Sequence, residues 1–389
     1  MRVLLTTPYD LAVPGGVNRH ARDLLAALTR RGIEARLIGP SSAATDGRGV
    51  THAADAAGEN DDGENDPRVV ALGRVQVTAM NGAQSRVTLD WRIGGAVRAL
   101  LCEFRPDVIH LQEPFLPLLN TFCLWHAQGA ACVGTFHTFS ETSRGYLWAW
   151  PWCRWVGRCL HARIAVSAAA RDFAAQFHPG TYALVPSGVR AVAPSQRRPA
   201  GGVRRPVRAL FVGRCDEPRK GFGGLLAALR RLETETPGEF ALTVAGPGAG
   251  AWQGGAAVVG LPVRFVGRLT DADLSAAYAA ADVCVVPSLG GESFGLVALE
   301  ALAHGVPVVA SRIRGYAEWL EGAEVGLLVA PGDAAALAGA LRSVAAEASR
   351  HAAWAQRAVA LAGSYEWDAI AERTVAVYAA ARAARAPAG

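Results

Sequence analysis

Short apolar, β-rich runs alternate with helical patterns along almost the whole chain. "RVLLTT" predicts a strand. After the loop "PYDLAVPGG", the stretch "VNRHARDLLAALTRRG" sets Val17, Ala21, Leu24, Leu25 and Leu28 at helical spacing, and Gly32 stops the helix. "EARLIG" is the next strand. Strands recur at "DVIHLQ" (107–112), "ACVGTF" (131–136), "ARIAVS" (162–167) and "YALVPS" (182–187). The alternation restarts at "VRALFVG" and runs through "FALTVAG", "VRFVG", "DVCVVPS", "VPVVAS" and "GLLVA". This order predicts parallel sheets with helices on both faces. The fold class is α/β, with two doubly wound, Rossmann-like domains.

The pattern divides as an N-terminal domain over 1–190, a linker over 191–206 rich in Pro, Gly, Ser and Arg, and a C-terminal domain over 207–365. Residues 366–389 predict a terminal helix that packs back toward the first domain. The polar, acidic run 43–67 predicts a mobile surface loop. Ligands of open α/β sheets bind beyond the carboxyl ends of the strands, and two such domains face to face place a site in the cleft between them. Residues just after each strand are therefore the candidates for chemistry.

Composition narrows the class. The chain is 51% hydrophobic and 19% charged, enough for two cores. No apolar run reaches the ~18 residues of a membrane-spanning helix. "MRVLLTTPYD" reads as a first strand and not as a signal peptide. Seven cysteines without a CxxC pair predict free thiols in a reducing, cytosolic compartment. Much of the formal charge of +5 can come from "QRRPAGGVRRPVR", and no nucleic-acid motif is present.

Several strand ends carry chemistry-bearing residues. Gly15 and Gly16 precede the first helix, where backbone can approach a ligand and helix N–H groups are free; an ordinary tight turn reads the same way. Arg214 and Lys220, flanked by Gly213 and Gly221, suit a diphosphate, a forked guanidinium beside a point ammonium. A solvated basic loop is the plain alternative. His137 follows "ACVGTF" directly, a position suited to catalysis or sugar contact, though a lone histidine is more often structural.

The stretch "LGGESFGLVALEALAHGVPVVAS" (289–311) carries two glutamates in an apolar, glycine-rich run. Glu292 reads as lying at a helix entrance and Glu300 two turns in, roughly 12 Å along the axis and about 80° round it. That spacing excludes a shared-proton carboxylate pair and suits two parts of one elongated ligand. The N–H groups after Glu292 could take a phosphate. The bland alternative is helix-end charge placement for Glu292 and a surface face for Glu300. Against the latter, Leu296, Val297, Leu299, Ala301 and Leu302 surround Glu300 with apolar residues.

Together, "PGGVNRH", "FHT", "PSGV", "FVGRCDEPRKG" and the Glu-x7-Glu stretch resemble, in order, the motifs of retaining GT-B glycosyltransferases of the large group 1 (GT4-like) family. The resemblance covers nearly the whole chain, and its nearest branch mannosylates phosphatidylinositol. It implies a nucleotide-sugar donor on the C-terminal domain, with Arg214 and Lys220 on the diphosphate and Glu300 on the ribose. Glu292 and the N–H groups of Ser293, Phe294 and Gly295 would orient the sugar and the distal phosphate. Gly16 would approach the diphosphate and His137 the sugar. It further implies transfer of a hexose, mannose from GDP-mannose foremost, with retention of configuration and without a metal or other cofactor. A UDP-sugar donor or a soluble acceptor would use the same chemistry. Fixed cations and dipoles stabilise the charge that a departing diphosphate accumulates.

The acceptor belongs to the N-terminal domain, where Tyr9 and Arg86 match acceptor-contacting positions of that branch, and a lipid acceptor on an anionic membrane surface is implied, with the enzyme peripheral at its inner face. The helix "LDWRIGGAVRALLCEF" departs from the branch's lysine-rich one and offers only Arg92 and Arg98. "RGYLWAWPWCRWVGRCLH" (144–161) sets four tryptophans among arginines, as at a membrane interface. The favoured alternative is that its aromatics pack in the core or line the acceptor cleft, because Pro151 is expected to interrupt any long amphipathic helix there.

Three rival classes are weighed against this. "DAD" (271–273) could be a metal motif but reads as a helix start. "GPGAGA" (246–251) loosely fits a dinucleotide fingerprint, which needs a helix that "WQGGAAVVGLP" does not offer. A non-catalytic sugar-binding module would not need Arg214, Lys220 and both glutamates.

Overall fold

The computed structural model describes residues 1–13, 15–43, 51–52, 66–80, 83–140, 149–198, 206–252, 260–346 and 348–385. Its first half runs β1 (Arg2–Thr6), α1 (Gly16–Arg30), β2 (Glu34–Gly39), β3 (Thr51–His52), β4 (Val69–Ala71), β5 (Gln76–Met80), β6 (Ala83–Val87), α2 (Ile93–Phe104), β7 (Val108–Gln112), α3 (Leu119–Trp125), β8 (Ala131–Phe136), α4 (Trp150–Cys159), β9 (Ala162–Ala165), α5 (Ala168–Ala175) and β10 (Ala183–Leu184). Its second half runs β11 (Val207–Val212), α6 (Phe222–Glu235), β12 (Phe240–Ala245), β13 (Val263–Gly267), α7 (Asp271–Ala280), β14 (Val283–Val286), α8 (Leu296–Ala303), β15 (Val308–Ser311), α9 (Arg314–Leu320), β16 (Gly326–Val329), α10 (Ala334–Ala346), α11 (Ala348–Gly363) and α12 (Trp367–Arg385). Two units result: Met1–Gly188 together with the chain from Trp367, and Val189–Glu366.

In the first unit the strand order is β10-β9-β8-β7-β1-β2-β4-β3, parallel except for the antiparallel β3–β4 pair. The chain steps outward from β1 through β2 and β4, then returns to the other side of β1 as β7. Ligands of such sheets gather where the winding reverses, here beyond the carboxyl ends of β1 and β7. Strands covered on both faces read as near-continuous apolar runs, and β7 and β8 are buried at every position. Helix α1 packs Ala21, Leu24, Leu25 and Leu28 into a core with Val3, Leu5, Leu37, Val108 and Val133. Trp367, Ile370 and Tyr378 of α12 join that same core. At the end of α1, Arg30 bonds Asp368 at 2.9 Å.

The second unit repeats the plan in six parallel strands, ordered β13-β12-β11-β14-β15-β16. Its reversal lies between β11 and β14. Phe211, Phe222, Leu225, Leu229, Phe240, Val283, Val309 and Leu341 share its core. Beneath β14, the fully buried Asp282 accepts from the Arg198 and Arg208 guanidiniums and from the Arg208 backbone N–H, at 3.0–3.2 Å. Burial alone would raise the Asp282 carboxyl; the bonds from Arg208 and Arg198 outweigh it and hold the group below the usual range. Arg198 falls in the stretch read as a linker. Its side chain is only 4% exposed and its N–H donates to the His304 carbonyl at 2.8 Å, so the described part of that stretch packs on the second unit.

Other differences are local. The β5–β6 hairpin forms a separate antiparallel sheet that the apolar pattern did not reveal. Most of 43–67 lies outside the described residues, and Thr51–His52 within it pairs with β4. All seven cysteines are free. Pro151 does not interrupt a helix: it sits in the first turn of α4, where the missing N–H would have no partner anyway.

Candidate active site

The reversal point of the second unit brings together the loop after β11 and the loop after β14. Gly221 makes this approach possible. Its φ is +71°, and a Cβ there would lie 1.9 Å from the Pro287 carbonyl oxygen. A side chain would therefore have to push the two loops apart. Lys220, just before it, extends Nζ to Glu292 Oε1 at 2.5 Å, and Arg219 Nη1 reaches the same oxygen at 2.8 Å. Arg219 also bonds Glu217 and the Gly291 carbonyl. Burial pulls the Arg219 guanidinium down, but Glu292 and Glu217 outweigh it and raise it above its ordinary value. One carboxylate oxygen is thus held by two cations, with the Glu292 side chain 14% exposed.

Glu292 lies in the loop, not at the helix entrance expected from the sequence. Helix α8 begins at Leu296 with Gly295 as its cap at φ +91°, so Glu292 is three residues before the cap. Helix-end charge placement does not explain it. Gly315 seals the other side of the loop, since a Cβ there would meet the Glu292 carbonyl oxygen at 2.1 Å. Phe294 stacks on Trp319 with ring centroids 5.3 Å apart, and Trp319 Nε1 donates to the Phe294 carbonyl at 2.9 Å. Among the described residues no group accepts from the backbone N–H of Ser293, Phe294 or Gly295. Behind the loop, burial pushes the Tyr316 hydroxyl well above its usual range, Glu292 adding to the effect, and Ser288 Oγ lies 3.1 Å from it.

Glu300 follows on α8, half-buried, with Oε2 accepting from the Tyr278 hydroxyl at 2.9 Å. Only the interval 296–300 is helical, so the two glutamates are separated by loop as well as helix. Arg214 stands apart from Lys220: it is well exposed and bonds Asp216 at 2.9 Å. The structure therefore joins Lys220, Arg219 and Glu292 directly, and leaves Arg214 as an outer cation of the same loop.

Thr270 caps α7 through the Asp273 N–H, and Asp271 bonds Arg190 at 2.6 Å. This pairing uses both aspartates of "DAD" in helix and surface contacts. Among the described residues no three His, Cys, Asp or Glu side chains converge as metal ligands. Within "GPGAGA", Ala249–Ala251 form a short 3-10 turn, and 253–259 lie outside the described residues.

At the reversal point of the first unit, Gly15 caps α1 without a side-chain bond and Gly16 opens the helix, both exposed. One turn further, the His20 ring meets the His137 ring edge-on, centroids 4.7 Å apart. His137 Nε2 lies 2.7 Å from Gln112 Oε1. Its backbone N–H and the Thr138 hydroxyl both donate to Glu113 Oε1 at 2.8 Å. Glu113 sits at φ +47°, an uncommon position for a non-glycine residue, directly after β7. Burial pushes its carboxyl up while these donors act against it. Burial also holds the imidazoles neutral: His20 and His110 fall to about 3, and His137 lies well below its ordinary value, with His20 and His110 repelling its proton. His137 thus stands at this strand end as a neutral ring. Tyr9 and Arg86 are brought together, since Tyr9 bridges Val87 and the Asp10 N–H donates to the Arg86 carbonyl at 3.0 Å. The Arg86 guanidinium lies 3.9 Å from the Asp10 carboxylate.

Arg219, Gln112, Glu113 and His20 were not among the sequence candidates. Arg219 lies between two glycine-flanked cations, and Glu113 immediately follows a buried strand. Both positions carried the signal that selected Lys220 and His137.

Two doubly wound units, each with polar residues gathered at its sheet reversal, define a GT-B glycosyltransferase fold. HepE from Anabaena, solved with UDP-glucose, shares it at a TM-score of 0.68 and 18% identity, over 97% of this chain and 98% of that one. The pattern described as "Glycosyl transferases group 1" matches residues 206–347, and "Glycosyltransferase Family 4" matches 14–193. The phosphatidyl-myo-inositol mannosyltransferase of Mycobacterium leprae is 33% identical over 97% of this chain and 96% of its own length. A glycogen synthase of Mycobacterium tuberculosis is 33% identical over 98% and 95%. The chain belongs to the group 1, family 4 glycosyltransferases.

Proposed function

We propose that this glycosyltransferase is a retaining, metal-independent hexosyltransferase, moving mannose from GDP-mannose to a lipid acceptor such as phosphatidylinositol or a related glycolipid precursor. The observation that carries the reading is the Lys220–Glu292–Arg219 group at the β11/β14 reversal. A departing diphosphate needs fixed positive charge, and a nearby carboxylate can hold those cations in place until the donor arrives. The N–H groups of Ser293 to Gly295 then take phosphate oxygens, Arg214 adds an outer cation, and Glu300 receives the ribose hydroxyls. His137, neutral, contacts the sugar, and Gly15 and Gly16 let backbone approach the diphosphate. Tyr9 and Arg86 serve the acceptor. Mannose and the lipid acceptor follow the Mycobacterium leprae relative, which matches along nearly its whole length. The domain roles are donor binding in the second unit and acceptor binding in the first. A lipid acceptor places the enzyme at the inner face of a membrane; no helix among the described residues is long and apolar enough to cross one.

A UDP-sugar donor, a soluble acceptor or both make the second reading, and the glycogen synthase relative, also 33% identical, speaks for an acceptor that is not a lipid. Calorimetry with GDP-mannose, UDP-glucose and other nucleotide-sugars separates the two. The first reading expects GDP-mannose to bind most tightly, and EDTA-treated enzyme to transfer mannose to a lipid extract with the α configuration by NMR. Binding confined to UDP-sugars would favour the second reading, and a β-linked product would end the retaining assignment.

A further inference from the structure

The end of β7 carries buried polar side chains that the donor and acceptor contacts do not use. Successive strand residues alternate between faces, so His110 and Gln112 share one face of β7, and Thr135 of β8 lies opposite Gln112 in the register. All three are at most 1% exposed. The turn that follows is pinned from behind. The fully buried Asn120 donates from Nδ2 to the Gln112 and Glu113 carbonyls at 3.1 and 3.0 Å, and accepts from the Thr6 hydroxyl at 2.8 Å. Glu113 holds the His137 backbone N–H, and Gln112 takes the ring: His137 Nε2 lies 2.7 Å from Gln112 Oε1.

That contact decides where the ring's proton sits. Burial keeps His137 neutral, so the ring carries one N–H, and the partner of each nitrogen selects the tautomer. Gln112 Oε1 can only accept, so the proton lies on Nε2. The other end of the amide is held in the same sense. Gln112 Nε2 can only donate, and it lies 3.5 Å from His110 Nε2, which also receives the Thr135 hydroxyl at 2.6 Å. His110 therefore keeps its proton on Nδ1, 2.7 Å from the Tyr378 oxygen of α12. A flipped amide would turn its oxygen toward the His110 lone pair, where two acceptors would meet. Nδ1 of His137 thus carries a lone pair. It has no hydrogen-bond partner among the described residues, and the residue is only half-buried.

We propose that Gln112 is a positioning residue: it locks His137 in the Nε2–H tautomer, so that Nδ1 accepts a hydrogen bond from a hydroxyl of the transferred sugar. The inference rests on the reading that His137 contacts that sugar. An imidazole free to exchange tautomers would offer the same hydroxyl a donor part of the time, and the hydroxyl would have to rotate in response. With the proton held on Nε2 the ring presents one fixed acceptor, and a group whose hydrogen-bonding sense is set beforehand needs no reorganisation when the sugar arrives. Gln112 touches neither donor nor acceptor in this assignment and acts only through His137.

The test labels the histidines of the full chain isotopically and reads the His137 ring by long-range proton–nitrogen NMR, its signals assigned by their loss in His137→Gln. We expect a protonated Nε2 and an unprotonated Nδ1 in the parent. Gln112→Met keeps much of the side chain's length without an oxygen and should populate the Nδ1–H form. Thr135→Val is the structural control: it removes the other buried bond to His110 Nε2 and should leave the His137 tautomer as in the parent. Melts followed by circular dichroism separate a loss of stability, expected in both variants, from the change of tautomer, expected in one. In transfer from GDP-mannose or UDP-glucose to a lipid extract, Gln112→Met should lower kcat roughly ten-fold, the effect of losing a hydrogen bond. Calorimetry with GDP and UDP alone should show unchanged affinity. A protonated Nδ1 in the parent, an unchanged tautomer in Gln112→Met, or an equal shift in Thr135→Val would overturn the proposal, as would full kcat in a Gln112→Met enzyme whose tautomer has changed. No transfer by the parent from either donor, with the tautomers as expected, would refute the sugar-contact reading and leave the hold of Gln112 on the ring established.

Discussion

His20 makes the first unit sensitive to acid, and the size of the effect follows from its burial. The ring is enclosed between His137, Trp367 and the Ser187 hydroxyl, the last 3.2 Å from Nδ1. Desolvation disfavours its cation and moves its pKa from 6.5 to about 3. In the unfolded chain the same ring titrates near its ordinary value. Between those two values the unfolded state binds the extra proton, so stability falls as pH falls. Each pH unit in that window costs about 1.4 kcal/mol, so lowering pH from 7 to 5 should cost about 2 kcal/mol at His20 alone. For a unit of this size that lowers Tm by roughly 5 °C. Other groups titrate in the same range, so the informative quantity is a difference between proteins. Thermal melts of the parent and of His20→Gln at pH 7 and pH 5 give it: Gln cannot take up the proton, and the variant should lose about 2 kcal/mol less on acidification. Equal losses in both proteins would refute the neutral, buried His20.

Three further outcomes test the second unit. Asp282→Asn leaves Arg198 buried beside an uncharged partner and should destabilise by about 3–5 kcal/mol, read from urea unfolding; a loss below 1 kcal/mol would mean that the buried pair is solvated. Gly221→Ala introduces a Cβ 1.9 Å from the Pro287 carbonyl at φ +71°, and should weaken nucleotide-sugar binding in calorimetry while α6 and the sheet persist by circular dichroism. Unchanged affinity would show that the two loops need not approach. Glu292→Ala frees Lys220 and Arg219 and should abolish transfer with the fold retained; near-normal turnover would remove Glu292 from the reaction.

The strand–helix alternation was legible because its strands are buried on both faces and its helices carry one apolar stripe. Val3 to Leu5, Val108 to Gln112 and Val283 to Val286 each sit where a short apolar run lies between helical patterns. The β5–β6 hairpin was not legible because its residues lack a strong apolar alternation; Gln76 and Val77 are both exposed. Lys220, Glu292 and His137 stood out because each adjoins a strand end or glycine. Their partners were harder to read. Arg219 gains meaning only when the β14 loop folds over it, and Gln112 reads as part of its strand until His137 turns toward it. The position of α8 was misread because Phe294 and Gly295 continue an apolar pattern, whereas the left-handed backbone at Gly295 delays the helix to Leu296.

The last helix carries a consequence for how the chain is made. Trp367, Ile370, Ala371 and Tyr378 lie in the core that Val3, Leu24 and Val133 begin, and His110 of β7 bonds the Tyr378 hydroxyl at 2.7 Å. Synthesis proceeds from the N-terminus, and domains ordinarily fold as they emerge. Here the first unit cannot close its core until α12 (Trp367–Arg385) has left the ribosome, whereas the second unit ends at Glu366, just before that helix. Birth order and folding order are therefore inverted, and a nascent chain stalled short of Trp367 would hold a finished second unit beside an open first one.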